Sequence, residues 1–214
     1  MELKLQGYRY SVYTWIVRMA LAECGVAYGY DEFDPFVDGA VGLHPFGRVP
    51  VLAHDGFVVY ETAAILRYAD QEFAKGRLTP ADAAAAAAAR MQQVIGIADS
   101  YAYWPLVRQV FSNAVFAPRT GAVTDVGALT EGLARAPKPL AELERICCEG
   151  VVLNQRAVGL ADIYLAPMIS YFVETEAGAA LLAQTPALSR WWTWISARPS
   201  FVETKPVLPP LAQP

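Results

Sequence analysis

The sequence predicts an α/β layer in residues 1–76 and an all-helical fold in the remainder of the 214-residue chain. Near the N-terminus, strand, helix and strand patterns follow one another with short joints, as in a β-α-β unit. The pair Asp55-Gly56 stands between two apolar runs and predicts a β-hairpin. After Thr79 the strand signals disappear. We therefore expect an α/β domain over residues 1–76, a linker over 77–82 and a helical domain over 83–214.

The α/β layer should contain strands and helices in the order β-α-β-β-β-α. Residues 11–23 place apolar side chains at helical spacing, and Cys24-Gly25 then ends the first helix. The strands on either side of this helix should run parallel, because a right-handed crossover joins them. The expected strands cover residues 2–8, 26–33, 49–53 and 57–60, and the second helix covers 62–73.

The second part begins with a helix-start signal and continues as a series of helices. Thr79 offers an N-cap, Pro80 suits the first turn, and residues 83–89 are all alanine, the best helix former. Proline and glycine residues divide the rest of the chain into segments. These segments predict helices at residues 91–112, 125–136, 139–149, 160–174 and 188–197, and a surface tail over 205–214.

Composition and charge exclude several classes of function. Hydrophobic residues make up 55% of the chain and charged residues 18%, which is typical of a folded globular protein. The net charge of −4 comes without a basic stripe, so we expect no nucleic-acid partner. The longest uncharged stretch, residues 177–189, is too short for a membrane span of about 20 residues. We expect no membrane association and, without a secretion signal, a cytoplasmic location.

The cysteine and histidine residues predict a protein without disulfides and without a metal. Cys24, Cys147 and Cys148 are odd in number, and none of them belongs to a C-x-x-C pair. His44 and His54 are the only histidines, and the sequence spells out no zinc site. We therefore expect no metal cofactor.

Two junctions of the α/β layer carry groups suited to a peptide-like ligand. A cis Val49-Pro50 bond would leave the backbone of Val49 able to pair with a ligand. The residues alone favour an ordinary trans bond, because only about 5–6% of X-Pro bonds are cis. At the next junction, Thr62 could bind a carboxylate and Glu61 an ammonium, which together suit an α-amino acid head. The simpler alternative is that Thr62 caps its own helix.

The turn between the first strand and the first helix carries a cluster of hydroxyl groups. The residues that crowd this turn are Tyr8, Tyr10, Ser11, Tyr13 and Thr14. Hydroxyls at a helix start can stabilise a thiolate through hydrogen bonds, and the helix dipole lowers the pKa of a thiol there. The alternative is that Ser11 is a simple N-cap and that the tyrosines are half-buried core residues. No histidine lies near in sequence, so a serine nucleophile of the triad type has no support.

These three junctions coincide with the ligand edge of a thioredoxin-like layer, and the sequence resembles the cytosolic glutathione S-transferases. The matching segments are residues 5–11, 17–21, 44–52, 60–66, 160–167 and 198–200. The P-F-G-x-V-P-V-L and E-T-A-A-I motifs, at this spacing and ahead of a helical half, make the resemblance specific. Ser11 is similar to the serine of the serine-type classes, and the chain resembles bacterial members. The resemblance implies a thioredoxin-like N-terminal domain followed by an all-α C-terminal domain.

The resemblance also implies the reaction and the residues of its site. It implies a glutathione transferase that activates the thiolate of glutathione, its co-substrate, for conjugation to a small apolar electrophile. Ser11 would donate a hydrogen bond to the thiolate, with Tyr8, Tyr13 and Thr14 as alternatives. Glutathione would bind at Arg48, Val49, Pro50, Glu61 and Thr62, with Pro50 as the family's cis proline and Arg48 near the glycine carboxylate. The alternatives are glutathione-dependent isomerisation, dehalogenation or peroxide reduction, and a non-catalytic role in binding a ligand or a partner protein.

The second part of the chain bears on assembly and on the electrophile. The resemblance implies a homodimer and a role in detoxification, and the small side chains of the alanine-rich helix permit close helix approach. The family usually has serine or threonine at position 159, so Gly159 leaves half of a capping box with Asp162 missing. Candidates for an apolar wall are Tyr101, Tyr103, Trp104, Phe111 and Phe116. An aromatic row at helical spacing is more often core, so none of them is assigned a substrate role.

Overall fold

The computed structural model describes residues 2–37, 42–79 and 85–211, and its α/β layer contains a four-stranded mixed sheet. The strands are β1 (Leu3–Gly7), β2 (Gly29–Glu32), β3 (Val51–His54) and β4 (Phe57–Tyr60), in the order β2-β1-β3-β4. β1 runs parallel to β2, and β3 runs antiparallel to both β1 and β4. The predicted parallel pair and the predicted Asp55-Gly56 hairpin are therefore confirmed.

The register of the sheet brings three chain junctions to one edge. Gln6 of β1 pairs with Val51 of β3, and Val51 pairs with Tyr60 of β4. Because β3 runs opposite to both neighbours, the end of β1, the beginning of β3 and the end of β4 lie side by side. The turns after β1 and β4 and the loop before β3 therefore meet at this edge.

A helix follows β1 and another follows β4, and both begin at this edge. They are α1 (Val12–Cys24) and α2 (Thr62–Phe73). Ser11 is the N-cap of α1, and its hydroxyl accepts a hydrogen bond from the N–H of Thr14 at 3.3 Å. α1 ends at Gly25, whose φ of 67° lies in the left-handed region that favours glycine. α1 packs against α2 on one side and against the helical part on the other.

A continuous helical run opens the second part and replaces the shorter helix expected at residues 91–112. It consists of α3 (Ala85–Ile97), a π-helix (Ala98–Phe116) and α4 (Ala117–Thr120). A π-helix bonds each N–H to the carbonyl five residues earlier, and this one includes Pro105, which has no N–H. The run continues through Pro118 and ends at Gly121, which has a φ of 70°. Glycine therefore ends the helix here, and the expected break at proline is wrong.

The remaining helices include four that the sequence predicts and two that it does not. They are α5 (Val126–Arg135), α6 (Pro137–Glu149), α7 (Leu160–Val173), α8 (Glu176–Ala183), α9 (Pro186–Ser196) and α10 (Pro199–Thr204). α8 lies in an almost wholly apolar stretch without periodicity, and α10 is too short to show any. Within the described ranges, no helix combines the length and apolarity that a membrane crossing needs.

The junction between the two parts is described only in part. Residues 80–84 lie outside the described residues, and with them the predicted helix start, much of the linker over 77–82 and the first residues of the helical domain. Thr79, the predicted N-cap, donates its hydroxyl to Oδ2 of Asp70 at 2.6 Å. This bond ties the end of the α/β layer to α2. The domain division itself stays a prediction.

The end of the chain runs along the helical part. Lys205 pairs with Glu174 at 2.7 Å, and Arg119 donates from Nη1 to the carbonyl of Pro209 at 2.8 Å. Residues 212–214 of the predicted tail lie outside the described residues.

α7 forms the buried centre of the helical part, and Asp162 fixes its beginning. The Asp162 carboxylate accepts hydrogen bonds from the N–H of Gly159 at 2.9 Å and from Nε1–H of Trp191 at 2.7 Å. Glycine has no side chain to return a bond, so only half of a capping box exists, as the sequence predicts. Burial raises the pKa of Asp162 to about 6, although these hydrogen bonds oppose the shift.

Replacing Asp162 with alanine should lower the free energy of unfolding by about 2–4 kcal/mol, because the buried N–H of Trp191 and the part-buried N–H of Gly159 would lose their acceptor. The matched control is Asp125→Ala, which removes the exposed N-cap of α5, where Asp125 accepts from the N–H of Ala128 at 2.9 Å. This control should cost only about 1 kcal/mol. Urea denaturation followed by circular dichroism measures both. An equal loss of unfolding free energy in both variants would show that the burial of Asp162 does not determine how much it stabilises the protein.

Candidate active site

A cavity of about 490 Å³ lies where the sheet edge meets the π-helix and α7. Its volume falls in the range of about 300–1,000 Å³ that is typical of small-molecule sites. The residues that the sequence assigns to the site all line it, namely Tyr8, Ser11, Arg48, Val49, Pro50, Glu61 and Thr62. They come from the three junctions that the sheet register brings together. The structure thus gives them a common location, and their roles remain predictions.

Ser11 lines the cavity at the beginning of α1. Its hydroxyl oxygen accepts the N–H of Thr14, so the hydroxyl hydrogen remains able to donate to another acceptor. Ser11 can therefore cap α1 and donate a hydrogen bond to a ligand at the same time. Thr14 itself is fully buried, does not line the cavity and packs its methyl group over Gly7. The suggestion that Thr14 contacts a thiolate is wrong, because its side chain faces the core.

Tyr8 and Tyr13 both line the cavity, but their hydroxyl groups have different surroundings. Burial, with a contribution from Asp34, raises the pKa of Tyr8 to about 12, so its phenol stays protonated at neutral pH. Tyr13 donates its hydroxyl to Oδ1 of Asp99 at 3.0 Å. Burial and then Asp99 raise the pKa of Tyr13 far above its ordinary value. Because Tyr13 already donates to Asp99, Ser11 and Tyr8 are the better placed donors to a ligand.

A polar cluster around Asp99 is a feature of the cavity that sequence reasoning missed. The Asp99 carboxylate also accepts the hydroxyl of Tyr164, at 2.9 and 2.8 Å from its two oxygens. These bonds join Tyr13 of α1, Asp99 of the π-helix and Tyr164 of α7. Tyr164 stands in a segment that resembles the family, but no spacing in the sequence relates it to Asp99, 65 residues earlier.

The Val49-Pro50 peptide bond is cis. The trans bond that the residues alone favour is therefore wrong, and the cis bond that the family resemblance implies is confirmed. The average frequency of cis X-Pro bonds takes no account of the fold around a particular proline. Pro50 is buried directly ahead of β3, and Val49 lines the cavity.

Glu61 and Thr62 form the start of α2 at the cavity. Glu61 is the N-cap, with a φ of 68° that is unusual for a residue other than glycine. Its side chain makes no capping bond and is 67% exposed. Thr62 is the first helical residue and is buried, so the alternative that Thr62 caps its own helix is wrong. Strain of this kind is typical of functional sites, where it aims a side chain.

His44 lies close to Glu61 in the loop ahead of β3, and sequence reasoning gave it no role. Its ring is buried and lines the cavity. Nδ1 accepts the N–H of Phe46 at 3.1 Å, and Nε2 lies 3.7 Å from Oε1 of Glu61. Burial lowers the pKa of His44, although Glu61 opposes this shift. Neutral His44 therefore carries its proton on Nε2, facing Glu61.

Family comparisons agree with this geometry. A model of the glutathione S-transferase N-terminal domain matches residues 10–72, and a model of the glutathione S-transferase C-terminal domain matches residues 152–199. The chain belongs to the glutathione S-transferase family. The first match includes the cavity residues of the α/β layer, and the second includes α7.

Individual glutathione S-transferases are similar over most of their length. Glutathione S-transferase F6 of Arabidopsis thaliana is 27% identical over 208 residues, which are 92% of this chain and 96% of that protein. A glutathione S-transferase of Hyoscyamus muticus is 28% identical over 81% of this chain and 79% of its own. The apo structure of glutathione S-transferase III is 26% identical, with a TM-score of 0.84 over 98% of this chain and 100% of that chain. The predicted thioredoxin-like and all-α architecture is confirmed.

Only three of the five aromatic residues that the sequence offers as candidates line the cavity. Tyr103, Phe111 and Phe116 line the cavity. Tyr101 and Trp104 do not, and their side chains are 67% and 53% exposed. Residues four or five apart lie on the same face of a π-helix, and the lining residues recur at about this spacing. Residues 101 and 104 lie outside the cavity-lining face.

The described residues contain no cluster of three or more histidine, cysteine, aspartate or glutamate side chains arranged to hold a metal. Among the thiols, burial raises the pKa of Cys24 to about 11 and that of Cys147 to about 12. Both are therefore thiols at neutral pH. Neither lines the cavity, so a reactive thiolate there has to come from a ligand.

Proposed function

We propose that this protein is a glutathione transferase that conjugates the glutathione thiolate to a small electrophile. The observation that carries the proposal is that Ser11, Arg48, Glu61 and Thr62 line one cavity in a chain of this family. A hydroxyl, a cation, a carboxylate and a helix start suit a tripeptide with a thiol, two carboxylates and an ammonium group. The relatives named glutathione S-transferase support the same activity.

The start of α2 binds the γ-glutamyl end of glutathione. The free N–H groups and the positive end of the helix dipole attract its carboxylate, and the hydroxyl of Thr62 adds a donor. Glu61 receives the ammonium group, because its backbone conformation places the carboxylate outside the helix. Nε2 of His44 lies 3.7 Å from Oε1 of Glu61, which is near enough for electrostatic attraction but longer than a hydrogen bond. Both charges of the amino-acid head are thus paired at one junction.

The rest of the tripeptide extends along the loop ahead of β3. The backbone of Val49 pairs with the cysteinyl residue as a neighbouring strand would. Arg48 is exposed at the cavity and binds the glycine carboxylate through charge-assisted hydrogen bonds. This arrangement leaves the thiol near the beginning of α1, where Ser11 lies.

Ser11 donates a hydrogen bond to the sulfur and favours its ionised form. A fall in the thiol pKa from about 8.5 to 6–7 raises the thiolate fraction at pH 7 by roughly 16- to 30-fold. The thiol proton passes to water, the sulfur forms a bond to the electrophilic carbon, and the leaving group departs with its electron pair. Holding both reactants in the cavity supplies the remaining acceleration.

Location and physiological role follow from the same proposal. Cys24, Cys147 and Cys148 are all free thiols, which supports a reducing compartment and hence the cytoplasm. Conjugation of electrophiles to glutathione suits a role in detoxification.

We also propose a homodimer with twofold symmetry. Exposed Tyr101 and Trp104 lie on the π-helix, and exposed Phe57 and Val58 lie on the edge strand β4. Exposed apolar side chains on a helix and on a sheet edge favour association. Light scattering at micromolar concentration should give twice the chain mass of 23.3 kDa. A monomer mass would contradict this proposal.

The Ser11→Ala variant tests the catalytic assignment. Loss of one charge-assisted hydrogen bond should raise the pKa of bound glutathione by roughly 1–2 units. Turnover at pH 7 should then fall with the thiolate fraction, by about 2- to 50-fold for a starting pKa of 6–7, and recover as the pH rises past the new pKa. Affinity for glutathione should change little, because its charged ends bind elsewhere. Thiolate absorbance of the complex, titrated against pH, gives the pKa directly.

Two further variants serve as controls for this titration. Thr14→Val removes a neighbouring hydroxyl that does not face the cavity, and it should leave the pKa of bound glutathione unchanged. Tyr8→Phe should raise the pKa of bound glutathione much less than Ser11→Ala does. A shift with Tyr8→Phe and none with Ser11→Ala would transfer the role to the tyrosine. No shift with either would assign the thiolate to the N–H groups at the start of α1.

A further inference from the structure

The half of the cavity formed by the π-helix contains a second arginine. Arg108 lines the cavity together with Asp99, Tyr103, Ser112 and Phe116, which recur at spacings of four or five residues along the π-helix. Residues at this spacing share one face of such a helix. The charge on this face therefore changes sign along the cavity, from Asp99 at one end to Arg108 beyond Tyr103.

The two charged groups of this face have different surroundings. Asp99 accepts hydrogen bonds from Tyr13 and Tyr164 and so already has donors. Among residues 2–37, 42–79 and 85–211, neither Arg108 nor Arg48 forms an ion pair with a carboxylate. A guanidinium carries five N–H donors and binds carboxylates in a fork geometry. Both arginines therefore have donors to offer to a ligand.

Arg48 and Arg108 line the same cavity as Tyr103. Burial raises the pKa of Tyr103, and Arg108 and then Arg48 oppose this shift. Glutathione has two carboxylates, and the proposed site assigns one to the start of α2 and the other to Arg48. Arg108 is thus a second cation without a group of glutathione to bind.

We propose that Arg108 binds an anionic group of the electrophile, so that the preferred acceptors are aromatic electrophiles bearing a carboxylate. Phe111 and Phe116 line the cavity beside it and would contact the ring, while the guanidinium pairs with the ring substituent. This inference rests on the proposed transferase function and narrows its substrate class from small electrophiles to acidic aromatic ones.

The reaction with such an acceptor is balanced without any further reactant. The glutathione sulfur attacks the ring carbon that carries a halogen, a C–S bond forms, and the halide leaves with the electrons of the broken bond. The thiol proton goes to water. The ring carboxylate remains ionised and bound to Arg108 throughout, so it contributes to binding and orientation but not to bond making.

The test compares 4-chloro-3,5-dinitrobenzoate with its carboxamide, which has nearly the same shape and no charge. The Arg108→Gln variant should lower kcat/KM for the carboxylate by about 10- to 100-fold and for the carboxamide by less than about threefold. Arg108→Lys, which keeps the charge, should restore most of the activity with the carboxylate. Arg190→Gln, an exposed arginine of α9 outside the cavity, should change neither substrate.

Other outcomes would overturn the inference. An equal loss with both substrates, together with a raised KM for glutathione, would show that Arg108 binds the glycine carboxylate instead. An unchanged kcat/KM of Arg108→Gln with both substrates would show that Arg108 is a solvated surface cation.

Binding of the two synthetic glutathione conjugates, measured by calorimetry, separates this inference from the proposed function. If the protein turned over neither substrate, the transferase proposal would fail, but Arg108→Gln should still weaken binding of the carboxylate conjugate alone. Equal affinities of the variant and the unaltered protein for that conjugate would remove the inference itself.

Discussion

The antiparallel pairing of β3 with both of its neighbours is the constraint on which the site depends. It brings the end of β1, the beginning of β3 and the end of β4 to one edge of the sheet. α1 and α2 both begin there, so the unpaired N–H groups and positive dipole ends of two helices face one cavity. An anionic ligand is the natural occupant of such a place, and a thiolate gains from the same field.

The helical part lines the cavity opposite the sheet edge. Asp99 joins α1, the π-helix and α7 through the hydroxyls of Tyr13 and Tyr164, so the three elements are held together at the cavity. Away from the cavity, Trp15 of α1 donates from Nε1 to Oγ1 of Thr204 at 3.0 Å. Arg198 binds Glu23 through two hydrogen bonds at 2.9 and 3.1 Å. These contacts keep α1, and hence Ser11, in a fixed position against the helical part.

Local patterns predicted the features that depend on nearby residues. The Asp55-Gly56 hairpin, the cap at Ser11 and the limits of α2 all follow from spacing within a few residues. Distant partners were beyond such reasoning, and the Asp99 cluster and the contact between His44 and Glu61 are the clearest examples. The cis bond before Pro50 and the π-helix were also missed by local reasoning, because tertiary context decides both. The family resemblance, which summarises that context, supplied the cis bond and the cavity residues.

In the proposed glutathione site, the start of α2 binds the γ-glutamyl head. Isothermal titration calorimetry with glutathione and with cysteinylglycine, which lacks that head, measures this contribution. If Glu61 and Thr62 pair its two charges, glutathione should bind at least about tenfold more tightly than cysteinylglycine, since each 1.4 kcal/mol of lost contact is tenfold in affinity. Equal affinities for the two peptides would show that the start of α2 does not bind the γ-glutamyl head, and no heat with glutathione at millimolar concentration would show that the cavity does not bind glutathione.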